Sequence, residues 1–321
     1  MDESMNYRFS GHETFPCRYA WLPKAYREIR KNRDVFADEE DAMVLLGVGK
    51  NMVRATRFWA QAAGIAQSDK PSGYCVTDFG KQLLDVDGGL DPFLEDRQTL
   101  WLLHWKLSTH AEEPLFAWDF LLNKWPRPEM TRSDVLRQFI EEAQRLGRKL
   151  SSVTLEQHFD TFLHTYVPTR SLKGEIQEDN LDCPLVELEF IQRVGDRDSG
   201  AKGRREPIYA FRREPKNDIS PELFAFCLSD FWQQRRKQEL TLSFRDVAIA
   251  HGSPGQVFKL PEWDIRQRLD SLNSDADGPF KYEETAAIQR VIKKENSQSA
   301  PAALLAAIFG YEDADARRTN I

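Results

Sequence analysis

The sequence predicts a mainly α-helical, α+β protein built from tandem winged helix-turn-helix units with small β-hairpin wings. Apolar residues recur at three- and four-residue steps along most of the chain, which is the period of amphipathic helices. Short strand-like stretches follow pairs of these helices and are separated by turns rich in glycine or charge. Together the two patterns favour helix pairs that each end in a small hairpin.

Composition limits the possible function classes. The 321 residues are 41% hydrophobic and 30% charged, and the formal net charge is −7. This acidic balance argues against a protein that coats nucleic acid through its overall charge, so any DNA contact must come from local basic patches. No apolar run is long enough to span a membrane, and the four cysteines lack zinc-site spacing. We therefore expect a cytoplasmic protein with reduced thiols, no signal peptide and no membrane partner.

Four segments are expected along the chain. They are an N-terminal arm with a winged helix-turn-helix at 1–90, a helical region with a second winged-helix-like unit and a basic hairpin loop at 91–215, a C-terminal helical or helix-turn-helix unit at 216–311, and a disordered tail at 312–321.

The first winged helix is expected at 38–84. Asp38 caps a helix whose apolar residues are Ala42, Val44, Leu45 and Leu46. Glycines at 47 and 49 allow a tight turn. A second helix follows at about 50–63, with an apolar face that consists of Met52, Val53, Thr56, Trp59 and Ala60. A two-stranded wing with its turn at 70–73 and a last short helix complete this unit.

The other face of that second helix carries polar and basic side chains, namely Lys50, Asn51, Arg54 and Arg57. These are the residue types that contact phosphates and base edges in a major groove, so we expect this face to bind DNA. The alternative is a solvated basic face on a scaffold or partner-binding winged helix.

An aromatic arm at 7–33 precedes the first winged helix. Polar side chains are interleaved with its aromatic residues, and the candidates for chemistry among them are Arg8, His12, Glu13 and Arg18. Such a mixture often lines a site. A packed arm with a satisfied histidine explains it equally well.

Residues 91–126 are expected to be helical. They carry four tryptophans, which are Trp101, Trp105, Trp118 and Trp125. Tryptophans can stack on bases, but their helical spacing favours a core.

A second helix pair with a wing is expected at 131–213. Thr131 caps its first helix, and Ser152 or Thr154 caps the second, with Glu156 and His158 pointing outward. Strands are expected at 185–194 and 208–211. From 193 to 213 there are seven basic and three acidic residues, a net charge of +4.

This charge predicts a basic loop that reaches along a phosphate backbone through Lys202, Arg204 and Arg205. The alternative is a merely soluble hairpin tip.

Three carboxylates near the first of these strands resemble the acidic half of a metal-dependent nuclease site, namely Asp182, Glu187 and Glu189. The lysine usual after such acids is missing. The simpler interpretation is that these acids lie on the solvent-facing side of a half-exposed strand. Farther on, a helix at 220–238 capped by Ser220 precedes a possible third helix-turn-helix at 241–293, whose helix at 261–272 carries Trp263, Ile265 and Leu269.

Several strings resemble the SspB family of the Ssp DNA phosphorothioation system. They are FSGHETFPCRYAWLPKAY at 9–26, LLGVGKNMVRATRFWAQAAGI at 45–65, SPGQVFKL at 253–260 and YEETAAIQRVI at 282–292. The resemblance implies a DNA nickase that acts beside a cysteine desulfurase, an ATPase and a sulfurtransferase-like enzyme. It does not identify the catalytic residues.

The leading functional hypothesis is therefore a DNA nicking endonuclease acting on double-stranded DNA. His12 and Glu13, supported by Arg8 and Arg18, are the candidate catalytic residues, because a histidine can act as general acid or base near neutral pH. If a metal supplies positive charge, Mg²⁺ or Mn²⁺ is the expected cofactor. The alternatives are a non-catalytic winged-helix module that recruits the sulfur-inserting enzymes, and a transcriptional regulator.

Overall fold

The computed structural model describes residues 5–69, 73–168, 183–198, 205–274, 278–286, 288–294 and 301–310. The chain forms two compact units, where the sequence suggested four segments. Unit 1 comprises Met1–Glu95 and Lys106–Arg212, and unit 2 comprises Asp96–Trp105 and Arg213–Ile321. The expected tail at 312–321 lies outside the described residues. Within the described residues, no helix is long and apolar enough to cross a membrane.

Unit 1 contains helices and short antiparallel strands, so the expected α+β class is confirmed. Its helices are α1 Trp21–Lys31, α2 Glu39–Leu46, α3 Lys50–Ala62, α4 Asp78–Leu84, α6 Phe116–Asp119, α7 Arg132–Arg145 and α8 Ser152–Tyr166, with a π-helical turn at Phe120–Lys124 and a 3₁₀ helix at Pro184–Leu188. Its strands are β1 Ala66–Ser68, β2 Tyr74–Val76, β3 Glu129–Met130, β4 Ile191–Asp198 and β5 Arg205–Phe211. Helix α5, Arg97–Thr109, contributes residues to both units.

Helices α2 and α3 form the expected pair. The Asp38 carboxylate accepts hydrogen bonds from the backbone N–H groups of Glu40 and Asp41, which caps α2. Gly47 ends α2 in the left-handed conformation, at φ 66°. Strands β1 and β2 then pair antiparallel. Of the four apolar residues expected on α2, Ala42 and Leu46 are buried, whereas Val44 and Leu45 are 82% and 54% exposed.

Helices α7 and α8 lie between β3 and β4 in sequence, and the three strands form a sheet in the order β3-β5-β4. Ser151 caps α8, one residue before the expected cap. The strand predicted from residue 185 begins only at Ile191. Pro184 starts a 3₁₀ helix instead, and Glu189 ends it in the left-handed region at φ 46°. The strand pairing fails there because neither conformation is extended.

Unit 2 repeats this order of elements. Its elements are α9 Pro221–Arg235, β6 Thr241–Ser243, α10 Phe244–Ile249, α11 Pro254–Phe258, α12 Glu262–Ser271, β7 Phe280–Glu284, β8 Gln289–Lys293 and α13 Pro301–Ile308. The sheet has the order β6-β8-β7, so in each unit the last strand in sequence lies between the other two. Ser220 caps α9 as expected. Trp263 is 58% exposed, however, and does not belong to the core of α12.

The tryptophans at 91–126 are core residues, as their spacing predicted. Trp101, Trp105, Trp118 and Trp125 are at most 6% exposed. Trp101 and Trp105 belong to unit 2, whereas Trp118 and Trp125 belong to unit 1. Base stacking by these side chains is therefore excluded in this conformation.

Candidate nucleic-acid interface

Helix α3 has one buried face and one exposed face, with the phase that the sequence predicted. Val53, Phe58 and Trp59 are at most 2% exposed. The Trp59 indole N–H also donates to the carbonyl oxygen of Phe15 at 2.9 Å, which fixes the arm against the helix. The side chains of Lys50, Asn51, Arg54 and Arg57 therefore lie on the outer side or its edge.

One carboxylate holds two of these cations. Glu39, in the first turn of α2, accepts from Arg54 through both carboxylate oxygens, at 2.6 and 3.0 Å. The Lys50 ammonium lies 2.9 Å from the same carboxylate. Hydrogen bonds from Arg54 and then Lys50 lower the pKa of Glu39 to about 2. These two cations are thus partly neutralised within the protein.

Arg57 is different, because it has no ion pair or hydrogen bond with any residue that the structure describes. Its neighbour in space is Arg8, whose guanidinium lies over the Phe58 ring, 4.5 Å from the centroid. Arg8 also faces the Glu113 carboxylate at 3.5 Å. Burial lowers the pKa of Arg8, and the positive charge of Arg57 adds to that effect. Two cations therefore share one edge of α3.

His12 is buried in unit 1 and contacts His158, which the sequence analysis had expected to be exposed. Its Nε2 is 3.1 Å from Nδ1 of His158, and the two rings are stacked. The exposed fractions of the two residues are 3% and 0%. The prediction that His158 points outward from α8 was wrong. His158 follows Leu155 by three residues and precedes Phe162 by four, so its spacing already matched the buried face.

The hydrogen bonds fix the tautomer of His158, whereas Nδ1 of His12 faces both the Thr14 N–H and the Thr161 hydroxyl. The Ala117 N–H donates to Nε2 of His158 at 3.0 Å, so the proton of neutral His158 lies on Nδ1 and points at His12. Nδ1 of His12 lies 3.1 Å from the Thr161 hydroxyl, which itself donates to the carbonyl of Gln157. Burial lowers the pKa of His12 to about 4 and that of His158 well below its usual value.

This pair is unsuited to holding a metal. A metal-binding histidine donates through its outer nitrogen to a carboxylate or carbonyl. Here the outer nitrogens face N–H donors, from Ala117 on one side and from Thr14 on the other, at 3.0 and 3.1 Å. The geometry supports the alternative of a packed arm with a satisfied histidine.

The other two arm candidates, Glu13 and Arg18, interact with other residues: the Glu13 charge reaches Arg54, and Arg18 contacts aromatic rings. Gly11 does turn the chain, at φ 107°, and a Cβ there would lie 2.9 Å from the Phe58 ring. Glu13 follows at φ 50° and is half-buried. The Arg18 guanidinium lies over the rings of Phe15 and Trp21, at 5.9 and 5.5 Å. The arm therefore directs His12 inward while Arg18 rests on aromatic faces.

Two of the carboxylates proposed from the strand pattern, Glu187 and Glu189, have different partners. Glu187 accepts a short hydrogen bond from the Tyr19 hydroxyl, and Glu189 pairs with Arg212 at 2.9 Å. Asp182 lies outside the described residues. Across the described ranges, no group of three or more His, Cys, Asp or Glu side chains is placed to hold a metal ion. The described residues therefore supply no three-ligand site for the expected Mg²⁺ or Mn²⁺.

The basic hairpin is only partly described. Lys202 and Arg204 lie outside the described residues, and Arg205 is exposed at the start of β5. Below the tip, Arg197 pairs with Asp134 and Glu206 at 2.7 and 2.8 Å. In the described part of the hairpin, the positive charge of Arg197 is therefore neutralised by carboxylates.

The comparisons with known proteins give one family and two similar solved structures. A family model described as a protein of unknown function, DUF4007, matches residues 9–309. The chain belongs to the DUF4007 family. This DUF4007 chain has an SspB-like fold: an SspB crystal structure is 26% identical with a TM-score of 0.83, covering 96% of this chain and 89% of that chain. A magnesium ion-bound SspB crystal structure is 25% identical with a TM-score of 0.82 and the same coverages. No curated protein matches significantly.

Proposed function

We propose that this protein is a DNA-binding component of an Ssp-type DNA phosphorothioation system and that α3 contacts the duplex. The observation that carries the proposal is the charge of α3: the helix itself carries Lys50, Arg54 and Arg57 and no acidic residue, and its opposite face is buried. Guanidinium and ammonium groups on a helix are suited to phosphates and base edges in the major groove.

The order of elements supports winged-helix units. In each three-stranded sheet one strand precedes the helices and two follow, with the last strand in the middle. On this basis α8 and α12 are the counterparts of α3. Both are acidic, however: α8 carries Glu156 and Asp160, and α12 has three acids against two arginines. Charge therefore favours α3 as the element that enters a groove.

Duplex binding by the α3 face can be measured directly. In fluorescence anisotropy with a labelled duplex, changing Arg54 and Arg57 together to Ala should weaken binding and flatten the salt dependence by about one unit per lost phosphate contact. The matched control changes two exposed arginines of α7, Arg137 and Arg145, which pair with acids. Equal binding and equal salt dependence in both double variants would contradict the proposal.

The basic hairpin is proposed as a second contact. Neutralising Lys202, Arg204 and Arg205 should weaken duplex binding and leave the melting temperature nearly unchanged, because exposed charges contribute little to stability. A large loss of melting temperature with normal binding would assign the hairpin a structural role.

Nicking of one strand is the second candidate function, and the resemblance to the SspB family is what supports it. Geometry favours the non-catalytic module, which would recruit a cysteine desulfurase, an ATPase and a sulfurtransferase-like enzyme in the cytoplasm. His12 is buried and neutral, so it is poorly placed to reach a phosphodiester.

Purified protein on supercoiled plasmid, with Mg²⁺, with Mn²⁺ and without either, separates the two functions. Relaxed plasmid from wild-type protein would establish the nickase. Binding without relaxation in every condition would leave the recruiting module.

A further inference from the structure

We propose that Arg8, Arg57 and His110 together bind one phosphate group of a nucleic-acid backbone at the edge of α3. This inference rests on the proposed DNA contact of α3. It adds the arm and the loop after α5 to that contact. His110 was not among the residues that the sequence singled out, because a lone histidine in a loop carries no periodic signal.

Arg8 is held in place from two directions. Its backbone N–H donates to the Pro114 carbonyl at 2.9 Å, and its carbonyl accepts from the Phe116 N–H at 3.1 Å. Its guanidinium rests on the Phe58 ring, and its side chain is 20% exposed. A cation fixed in this way loses little conformational entropy when it binds an anion.

Arg57 supplies the second positive charge. Its positive charge reaches Arg8, because it adds to the effect of burial in lowering the pKa of that guanidinium. Two guanidinium groups repel each other unless an anion lies between or near them. The Glu113 carboxylate pairs with Arg8 at 3.5 Å, which is longer than a charge-assisted hydrogen bond.

His110 supplies a neutral donor on the same edge. The Glu113 N–H donates to Nδ1 of His110 at 3.3 Å, so the ring proton lies on Nε2. Within the described residues, no protein group accepts from this Nε2–H. Burial and then the charge of Arg8 lower the pKa of His110, whereas Glu113 and Glu112 oppose and Lys106 adds to that shift.

A phosphate fits this arrangement because it carries negative charge and several acceptor oxygens. Two guanidinium groups and one imidazole N–H can each donate to a different oxygen. The Glu113 carboxylate is 46% exposed and competes for Arg8, so the phosphate should displace it. Glu113 is therefore expected to oppose binding, whereas Arg8, Arg57 and His110 favour it.

The test measures duplex affinity by fluorescence anisotropy over a range of salt concentrations. Arg8→Gln, Arg57→Gln and His110→Gln should each weaken binding, by about tenfold for the two arginines, and each arginine variant should flatten the salt dependence by about 0.9. Glu113→Gln should strengthen binding by about threefold. Arg137→Gln is the matched control, because it removes one paired and exposed charge from unit 1.

The outcomes distinguish this site from the proposed function. If wild-type protein binds no duplex, the proposed function fails. If the α3 double variant weakens binding while Arg8→Gln, His110→Gln and Glu113→Gln behave like Arg137→Gln, only the phosphate site is overturned. If Arg8→Gln lowers the melting temperature, its effect on binding cannot be separated from unfolding. The opposite effects expected of His110→Gln and Glu113→Gln on duplex affinity then test the phosphate site, because both side chains are half-buried.

Discussion

A single carboxylate, Glu39, controls how much positive charge α3 presents. It binds Arg54 through two hydrogen bonds and Lys50 through one ion pair. DNA phosphates would have to replace these contacts, so part of the attraction between the cations and DNA is offset within the protein.

Glu39→Gln should therefore raise duplex affinity and steepen its salt dependence, by up to about 0.9 for each cation released. Glu40→Gln on the same helix is the matched control, because it makes the same charge change at an exposed position. Anisotropy titrations of both variants test this. Equal gains in the two variants would indicate a general charge effect rather than release of Arg54 and Lys50.

The buried histidine pair predicts how stability depends on pH. His12 has a pKa of about 4 when folded and an ordinary value near 6.5 when unfolded, so the unfolded chain binds the proton more readily. Stability should therefore fall as the pH decreases from about 6.5 towards 4, by about 1.4 kcal/mol per pH unit for this histidine. His158 should act in the same direction, since burial also lowers its pKa.

Urea unfolding at pH 7 and pH 5 measures this effect. His12→Asn removes one titrating ring, so the difference in unfolding free energy between the two pH values should shrink relative to wild type. An unchanged difference would mean that His12 is not neutral and buried in solution.

At the scale of elements, the phase of α3 is the feature on which the interface depends. Trp59 is fully buried, and its indole binds the arm at Phe15. Trp59→Ala should destabilise the protein by about 3–5 kcal/mol, through lost burial and the cavity left behind. A loss below about 1 kcal/mol in chemical denaturation would mean that the basic face is not where α3 places it.

The helices were predictable from local patterns, whereas the buried face of some helices and the start of one strand were not. The caps at Asp38, Thr131 and Ser220 and the period of α3 are local, and each is present in the structure. Val44 and Leu45 are apolar but exposed, since only tertiary contacts decide which apolar side chains are buried. The strand predicted from 185 was displaced because Pro184 begins a helical turn.

At the scale of the whole molecule, the decisive contacts join residues far apart in sequence. The His12–His158 pair spans 146 positions, and Arg8 and Glu113 are likewise far apart in sequence. Periodicity cannot supply such contacts. Their absence from the sequence patterns explains why His12 was a candidate for catalysis and why His110 was overlooked.

The two units each contain a three-stranded sheet with the same strand order, and their helices differ in charge. Repetition of the fold therefore does not imply repetition of function. We propose a duplex contact for α3 of unit 1 and none for the acidic α8 and α12.

Hydrogen–deuterium exchange with and without a saturating duplex tests this assignment most directly. Bound DNA should slow exchange in the first turns of α3 and in the segments around Arg8 and His110, and it should leave α8 and α12 unchanged. Protection of α8 or α12 together with unchanged exchange in α3 would contradict the account.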